Sequence, residues 1–337
     1  MLKIVKWIGK IIAGLITLLL ISGLCFRLFS SKPVPPGKLI DVNGIKLHIR
    51  AEGERNNLPT LILESGMGGN TDSFHWIAEG LKKNMRVVRY DREGSWYSES
   101  SSDSISPEFY SHQLHKLLEK NGEKPPYIIA GHSLGGSYCQ IFRDLYPNDI
   151  KGLVLIDSTH PDHNKNLAKT GYSITENQIT LYKFISIIAD IGIIGALNTI
   201  FDISGVNSSE LPEDSKKRFS NRAFYSGKFM SKLVKEIKFT DNILLRTSQC
   251  KNLDSLPTLI FTATEKFSES KLEEFRKRGI YLDKHQKLWL EMQKELEQLS
   301  TKTKQLNING SHSSIIGKKE NADIINKEIL LMAETIK

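Results

Sequence analysis

The stretch Ile128-Ile129-Ala130-Gly131-His132-Ser133-Leu134-Gly135-Gly136 decides how this chain folds. An apolar β-type run, Pro126 to Ala130, ends in Gly-His-Ser-Leu-Gly, and an amphipathic helical pattern, Leu134 to Tyr146, follows at once. That is strand, sharp turn and helix, with a serine at the turn. Glycine and serine are common, so a bare G-x-S-x-G is a weak signal; set between a strand and a helix it is a strong one. Gly131 and Gly135 flank Ser133 because the turn is too tight for side chains on either side. The turn lifts the Ser133 hydroxyl clear of the sheet edge. The backbone N–H of Leu134, at a helix N-terminus, can face a developing oxyanion. The competing reading is a tight turn with an incidental serine.

Around that turn the chain has 337 residues, room for one large α/β domain with an insertion or for two domains. Hydrophobic residues at 39% and charged residues at 25% describe an ordinary globular protein. The net charge is +8, but the basic residues are spread, with no sustained block beside stacking aromatics. Nucleic acid is therefore not an expected partner; a solvated basic face, or attraction to an anionic surface, fits better. The three cysteines, Cys25, Cys139 and Cys250, are far apart and make neither a disulfide framework nor a metal site.

At the N-terminus Lys3, Lys6 and Lys10 precede an uncharged run from Ile11 to Phe26, extended upstream by Trp7 and Ile8 and closed by Arg27. The run is slightly short of the ~20 residues of an ideal span, which lysine snorkelling can lengthen. A signal peptide has the same charge pattern. No small-x-small cleavage site precedes Pro33, however, and Leu24 directly before Cys25 argues against a lipoprotein box. The expectation is an uncleaved single-pass anchor over residues 1–29, cytoplasmic end first, although Arg27 and Lys32 beyond it weaken the charge asymmetry. Residues 30–37, with Pro33, Pro35 and Pro36, read as a stiff linker.

From Leu39 to Ala51 the pattern alternates around Asn43-Gly44, a hairpin. Thr60 to Glu64 is a short strand running into Ser65-Gly66-Met67-Gly68-Gly69-Asn70. This loop lacks the Lys-Ser/Thr of a phosphate cradle; beside a G-x-S-x-G turn it supplies the second oxyanion N–H, assigned to Met67. Helices at Phe74–Lys82 and Pro107–Lys120 and strands at Met85–Tyr90 and Gly152–Ile156 follow, the last ending at Asp157. The alternation means a mainly parallel sheet with active residues at the strands' C-terminal ends. From His160 to Asn252 the rhythm stops. The stretch is helical in pattern and reads as a folded cap of residues 160–252, its Ile/Leu-rich part, Ile179–Phe201, lining an acyl pocket or simply forming cap core. The sheet resumes at Pro257–Thr262. A helix at Tyr281–Gln298, a strand at Lys304–Ile308, the turn Asn309-Gly310-Ser311-His312 and a helix at 321–336 complete a core of 38–159 and 253–337.

A serine hydroxyl needs a base to take its proton, and the base needs a carboxylate to orient it. His312, after the last strand, is the expected base. His132 is expected to point away from the hydroxyl, and His160 and His163 are the nearest alternatives. The expected acid is Asp157, at the strand end after the serine unit; Glu265, after the next strand, is the alternative.

Together these segments resemble the α/β-hydrolase superfamily in its capped serine hydrolase branch. The resemblance rests on Ser65-Gly66-Met67-Gly68-Gly69, Tyr90-Asp91-Arg92-Glu93-Gly94, Pro126 through Gly136, Leu153-Val154-Leu155-Ile156-Asp157 and Gly310-Ser311-His312. It implies a triad of Ser133, His312 and an acid, with an oxyanion hole of two backbone N–H groups. Two departures stand out. Ser65-Gly66 replaces the usual His-Gly of the oxyanion loop. The usual Gly-x-x-Asp after the penultimate strand is missing, with Ala263 and Lys266 in its place, which moves the acid to Asp157. The expected activity is serine esterase or lipase-like hydrolysis of carboxylic esters, acting on small-molecule or lipid substrates with hydrophobic acyl groups, with no metal or organic cofactor required. The alternatives are a peptidase or amidase with the same residues, or a silent surface-binding protein of this fold. With the anchor, the catalytic domain is expected on the extracytoplasmic side of the cell membrane.

Overall fold

The computed structural model describes residues 2–101, 106–201, 203, 206 and 210–336. In chain order the elements are α1 (Leu2–Phe29), β1 (Lys38–Val42), β2 (Ile45–Glu52), β3 (Thr60–Glu64), α2 (His75–Leu81), β4 (Val87–Tyr90), α3 (Pro107–Lys120), β5 (Tyr127–His132), α4 (Leu134–Leu145) and β6 (Ile150–Ile156). A helical run follows: α5 (His163–Ala168), α6 (Glu176–Asp190), α7 (Ile193–Ile200), α8 (Glu213–Tyr225) and α9 (Lys228–Ser248). The chain closes with β7 (Thr258–Ala263), α10 (Glu269–Arg276), α11 (Leu282–Glu295), β8 (Thr303–Ile308), α12 (Ser314–Gly317) and α13 (Lys319–Thr335). This is the α/β-hydrolase fold.

The strands form one eight-stranded sheet in the order β1-β2-β4-β3-β5-β6-β7-β8. The Asn43-Gly44 hairpin makes β1 and β2 antiparallel, and β2 pairs antiparallel with β4. From β4 onward every pairing is parallel. The central strands are buried on both faces, which explains their continuous apolar runs. Leu61, Leu63, Ile128, Ala130, Val154 and Ile156 face a core with α2 and α13. Their neighbours Ile62, Ile129, Leu153 and Leu155 face the opposite core with α3 and α4. Because the strands run parallel, Ser133, Asp157, Glu265 and His312 all follow strand C-terminal ends.

Packing divides the chain into two compact units, one of residues 1–34 and 175–234 and one of residues 35–174 and 235–337. The first joins α1 to α6, α7, α8 and the start of α9. The second holds the sheet, its helices, α5 and the rest of α9. The ends of the helical insertion thus belong with the sheet: in α9, Ile243 and Leu244 bury against Tyr110, Leu134, Tyr138 and Ile141. The segment after β7, which the sequence reads as a loop bearing Glu265 and Glu269, turns into α10 at Glu269.

Candidate active site

The turn after β5 is built as its glycines require. A Cβ on Gly131 would lie 2.4 Å from the backbone of Gly135, and one on Gly135 would lie 2.3 Å from the carbonyl of Glu64. Ser133 itself has φ 56°, ψ −128°, a conformation L-residues rarely hold. Its backbone is tied on both sides. The Ser133 N–H donates to Ile156 O (3.1 Å), and its carbonyl accepts from Thr159 N–H and Gly136 N–H, both at 3.0 Å. The strain at the serine is thereby held by β6 and the loop after it.

His312 and Asp157 meet in the same region. The His312 Nδ1–H donates to Asp157 Oδ2 at 2.6 Å, which leaves Nε2 as the ring's free acceptor. Asp157 is 1% exposed. Its other oxygen, Oδ1, accepts from Ala263 N–H (3.0 Å) and Trp289 Nε1–H (2.9 Å). A buried carboxylate with three donors is fixed in one orientation. Glu265, the alternative acid, is exposed on the loop after β7. Among the described residues no hydrogen bond joins Ser133 Oγ to His312 Nε2.

The other histidines are disposed differently. His132 Nε2–H donates to the His312 carbonyl at 2.7 Å, with the two rings 4.6 Å apart. Burial, then the neighbouring His312, pushes the His132 pKa down to about 3. Burial, then His285 and His312, pushes His163 down to about 4. His160 pairs with Glu295 at 3.4 Å. His163 packs edge-on against Trp289, which stands perpendicular to His312 at 5.6 Å. The imidazole of His312, 46% exposed, thus has the buried His132 and the half-buried Trp289 beside it, and the lowered pKa values of His132 and His163 leave no competing positive charge on those rings.

The glycine loop lies against the serine: a Cβ on Gly66 would come within 3.0 Å of Ser133 Cβ. Two residues hold that loop. Arg92, buried after β4, donates to the carbonyls of Ser65 and of Gly66 (2.8 Å for the latter), and ion-pairs with Glu64 and, at 2.9 Å, with Glu236 of α9. Glu236 in turn accepts from Gly68 N–H at 2.9 Å. Burial opposes the Arg92 charge, but Glu236 and Glu64 outweigh it and hold the guanidinium charged. With the carbonyls of Ser65 and Gly66 engaged by Arg92, the intervening amides are set in one orientation. Among the described residues the N–H groups of Met67 and Leu134 donate to no acceptor.

An open cavity of about 780 Å³ contains Ser133, Asp157 and His312 in its lining, together with Leu167, Phe267, Phe275 and Trp289. The Ile179–Phe201 stretch, read as either acyl-pocket wall or plain cap core, contributes none of the lining residues. The apolar wall comes from α5, α10 and α11 and the loop after β7. Trp289, Arg92 and Glu236 escaped the sequence reading. The charged run Asp91-Arg92-Glu93 at the end of a buried strand was the only local signal for one of them.

The family model for the alpha/beta hydrolase fold matches residues 59–174. Lipase 1 of Psychrobacter immobilis is 35% identical over 101 residues, covering 29% of this chain and 31% of that protein. The uncharacterized protein YbdG of Bacillus subtilis (strain 168) is 27% identical over 160 residues, 46% of this chain and 49% of that one. The chain thus spans half or less of the length of these curated relatives. Among solved structures, a putative lipase (lip1) of Acinetobacter baumannii AYE superposes with a TM-score of 0.60 at 20% identity, covering 95% of this chain and 97% of that one. Epoxide hydrolases share the fold to the same degree, so the fold leaves the reaction open. Residues 59–174 thus match the α/β-hydrolase family, the chain shares that fold, and lipases are among the relatives it resembles.

Proposed function

We propose that this protein is a membrane-anchored serine hydrolase that cleaves carboxylic esters through an acyl-enzyme. The observation that carries the reading is the meeting, in one cavity, of a serine held on a strained turn and the His312–Asp157 pair at 2.6 Å. Ser133 Oγ attacks the ester carbonyl carbon while His312 Nε2 takes the hydroxyl proton. Asp157 fixes the imidazole tautomer and stabilises the imidazolium. The carbonyl oxygen becomes an oxyanion facing the N–H groups of Met67 and Leu134. Collapse breaks the bond to the leaving alkoxide, which receives the proton from His312. Water, deprotonated by His312, then releases the acid and restores Ser133.

The aromatic and aliphatic wall of the cavity favours a hydrophobic acyl group, from a lipid or other small-molecule ester. The anchor is α1, whose 27 residues from Lys3 to Phe29 are long and apolar enough to cross a bilayer. Lys3, Lys6 and Lys10 favour a cytoplasmic start with the catalytic domain on the other side, against the weaker pull of Arg27 and Lys32. The test is labelling of the full chain in detergent by a fluorophosphonate, beside Ser133→Ala and His312→Ala. Loss of labelling in both variants is expected. An unlabelled, folded wild-type protein would replace this reading with a silent binding protein of the same fold. Turnover of amides but not of the matching esters would replace it with an amidase.

A further inference from the structure

The unit built from residues 1–34 and 175–234 carries an unusual surface. On α6 and α7 and just beyond, Phe184 (58%), Ile187 (62%), Ile200 (71%) and Phe201 (61%) are exposed, with Leu181 and Ile191 beside them. Leu181, Phe184, Ile187 and Ile191 recur at helical spacing, so α6 turns an apolar side outward, and exposed apolar faces mark sites of contact. Neither helix alone could cross a bilayer. Fifteen and eight residues rise only about 22 and 12 Å against the ~30 Å of hydrocarbon. Their axes meet at 82°, so they are not one straight span either.

The break between them is nonetheless satisfied from within, as a hydrocarbon environment demands and water does not. Arg27 of α1 donates to the carbonyls of Asp190 and Ala189, both at 2.8 Å, capping the C-terminus of α6. The Asp190 carboxylate is occupied by Gly227 N–H at 2.8 Å, and Ser186 donates to the Gly227 carbonyl at 2.9 Å. The guanidinium of Arg27 also lies 5.1 Å from the Tyr225 ring. The α1 helix approaches closely here. A Cβ on Gly23 would meet Ile191 O at 2.6 Å, and one on Gly195 would meet the Phe26 ring at 2.3 Å. The exposed apolar side of α6, Leu181, Phe184 and Ile187, therefore leads to Ile191, where the C-terminal end of the helix read as the anchor packs.

We infer that α6 and α7 lie in the outer interface of the bilayer beside α1, as a second, non-spanning membrane contact whose occupant is lipid. This rests on the reading of α1 as an anchor. The apolar side of α6 sinks to the acyl boundary, and Lys183 snorkels to the headgroups. The close fit to α1 also requires that α1 stay attached rather than be cleaved.

The test uses the full chain with Cys25→Ser and Cys250→Ser, in phosphatidylcholine–phosphatidylglycerol vesicles with or without brominated acyl chains. An environment-sensitive fluorophore is placed singly by Phe184→Cys, Ile187→Cys or Phe201→Cys. Leu15→Cys reports on α1, and Glu119→Cys serves as an aqueous reference. Bromine quenching at the three cap positions, roughly twofold or more and well above the reference, is expected for insertion of a few ångströms past the headgroups. Quenching at Leu15 but only reference-level quenching at the cap positions would overturn the inference and leave the anchor standing. Reference-level quenching everywhere would remove both. A blue shift at the cap positions without bromine quenching would show that protein, not lipid, covers the patch, and would also overturn it.

Discussion

At the scale of single residues, the choice of acid turns on two carboxylates that follow neighbouring strands. Asp157 is buried and holds three donors, whereas Glu265 is exposed. Asp157→Asn should present the wrong hydrogen-bonding partner to His312 and lower kcat by about 10³–10⁴ with little change in KM, while Glu265→Gln stays near wild type. Steady-state ester hydrolysis checks both. His132 carries a second prediction. Its pKa, about 3 in the fold against an ordinary 6.5, means the unfolded chain takes up a proton that the folded chain refuses. Stability is therefore complete above pH 6.5 and falls as the pH drops from 6.5 towards 3; at pH 5 this one group removes about 2 kcal/mol. Thermal unfolding between pH 7 and 4 should show the decline, and His132→Asn should flatten it. Asp157 was legible as the carboxylate ending a strand beside the serine unit. The Trp289 bond to it was not, because a tryptophan in a charged helix more than a hundred residues away has no local signature.

At the scale of elements, the glycine loop owes its conformation to α9 as much as to its own glycines. Glu236 joins Arg92 and the Gly68 N–H, so a helix of the insertion fixes the loop that presents Met67. Glu236→Ala should leave a buried guanidinium half-paired, costing about 3–5 kcal/mol of stability, and should loosen the loop that holds Met67, the oxyanion donor we propose. The expected signature is a lower kcat at nearly constant KM. Glu236→Gln, which keeps an acceptor for Gly68, should recover part of the loss; an unchanged kcat in Glu236→Ala would deny the loop any dependence on α9. Strand and helix types were legible from periodicity alone, because the parallel strands are buried on both faces and read as apolar runs. Their ends were less so. The helix expected at Phe74–Lys82 begins as a tighter turn over Thr71–Phe74, where Asn70 caps Ser73.

At the scale of the whole molecule, the association that periodicity could not reveal is that of α1 with residues 175–234. Small residues mark it: Gly23, Gly192 and Gly195 let backbones approach where a side chain would collide. Gly23→Leu should force α1 off the α6–α7 break at a local cost of ~1–3 kcal/mol. Hydrogen–deuterium exchange of the full chain should then speed up at the amides of residues 189–196 and remain unchanged in β3, β5 and β6. Equal exchange in wild type and variant would mean that this packing carries no stability.

The residues themselves determined the hydrolase fold, the turn that bears Ser133 and the strand ends that bear Asp157 and His312. These depend on local preferences: glycines where no Cβ fits, apolar runs where both faces are buried, and a helix that must start at the turn. The tertiary structure alone decided which carboxylate meets His312, which side chains brace the glycine loop, and which wall lines the cavity. It built that wall from α5, α10 and α11, and set the Ile/Leu-rich segment beside α1. Apolar composition says that a segment must be covered; which surface covers it depends on contacts between residues far apart in the chain, and no local pattern encodes those.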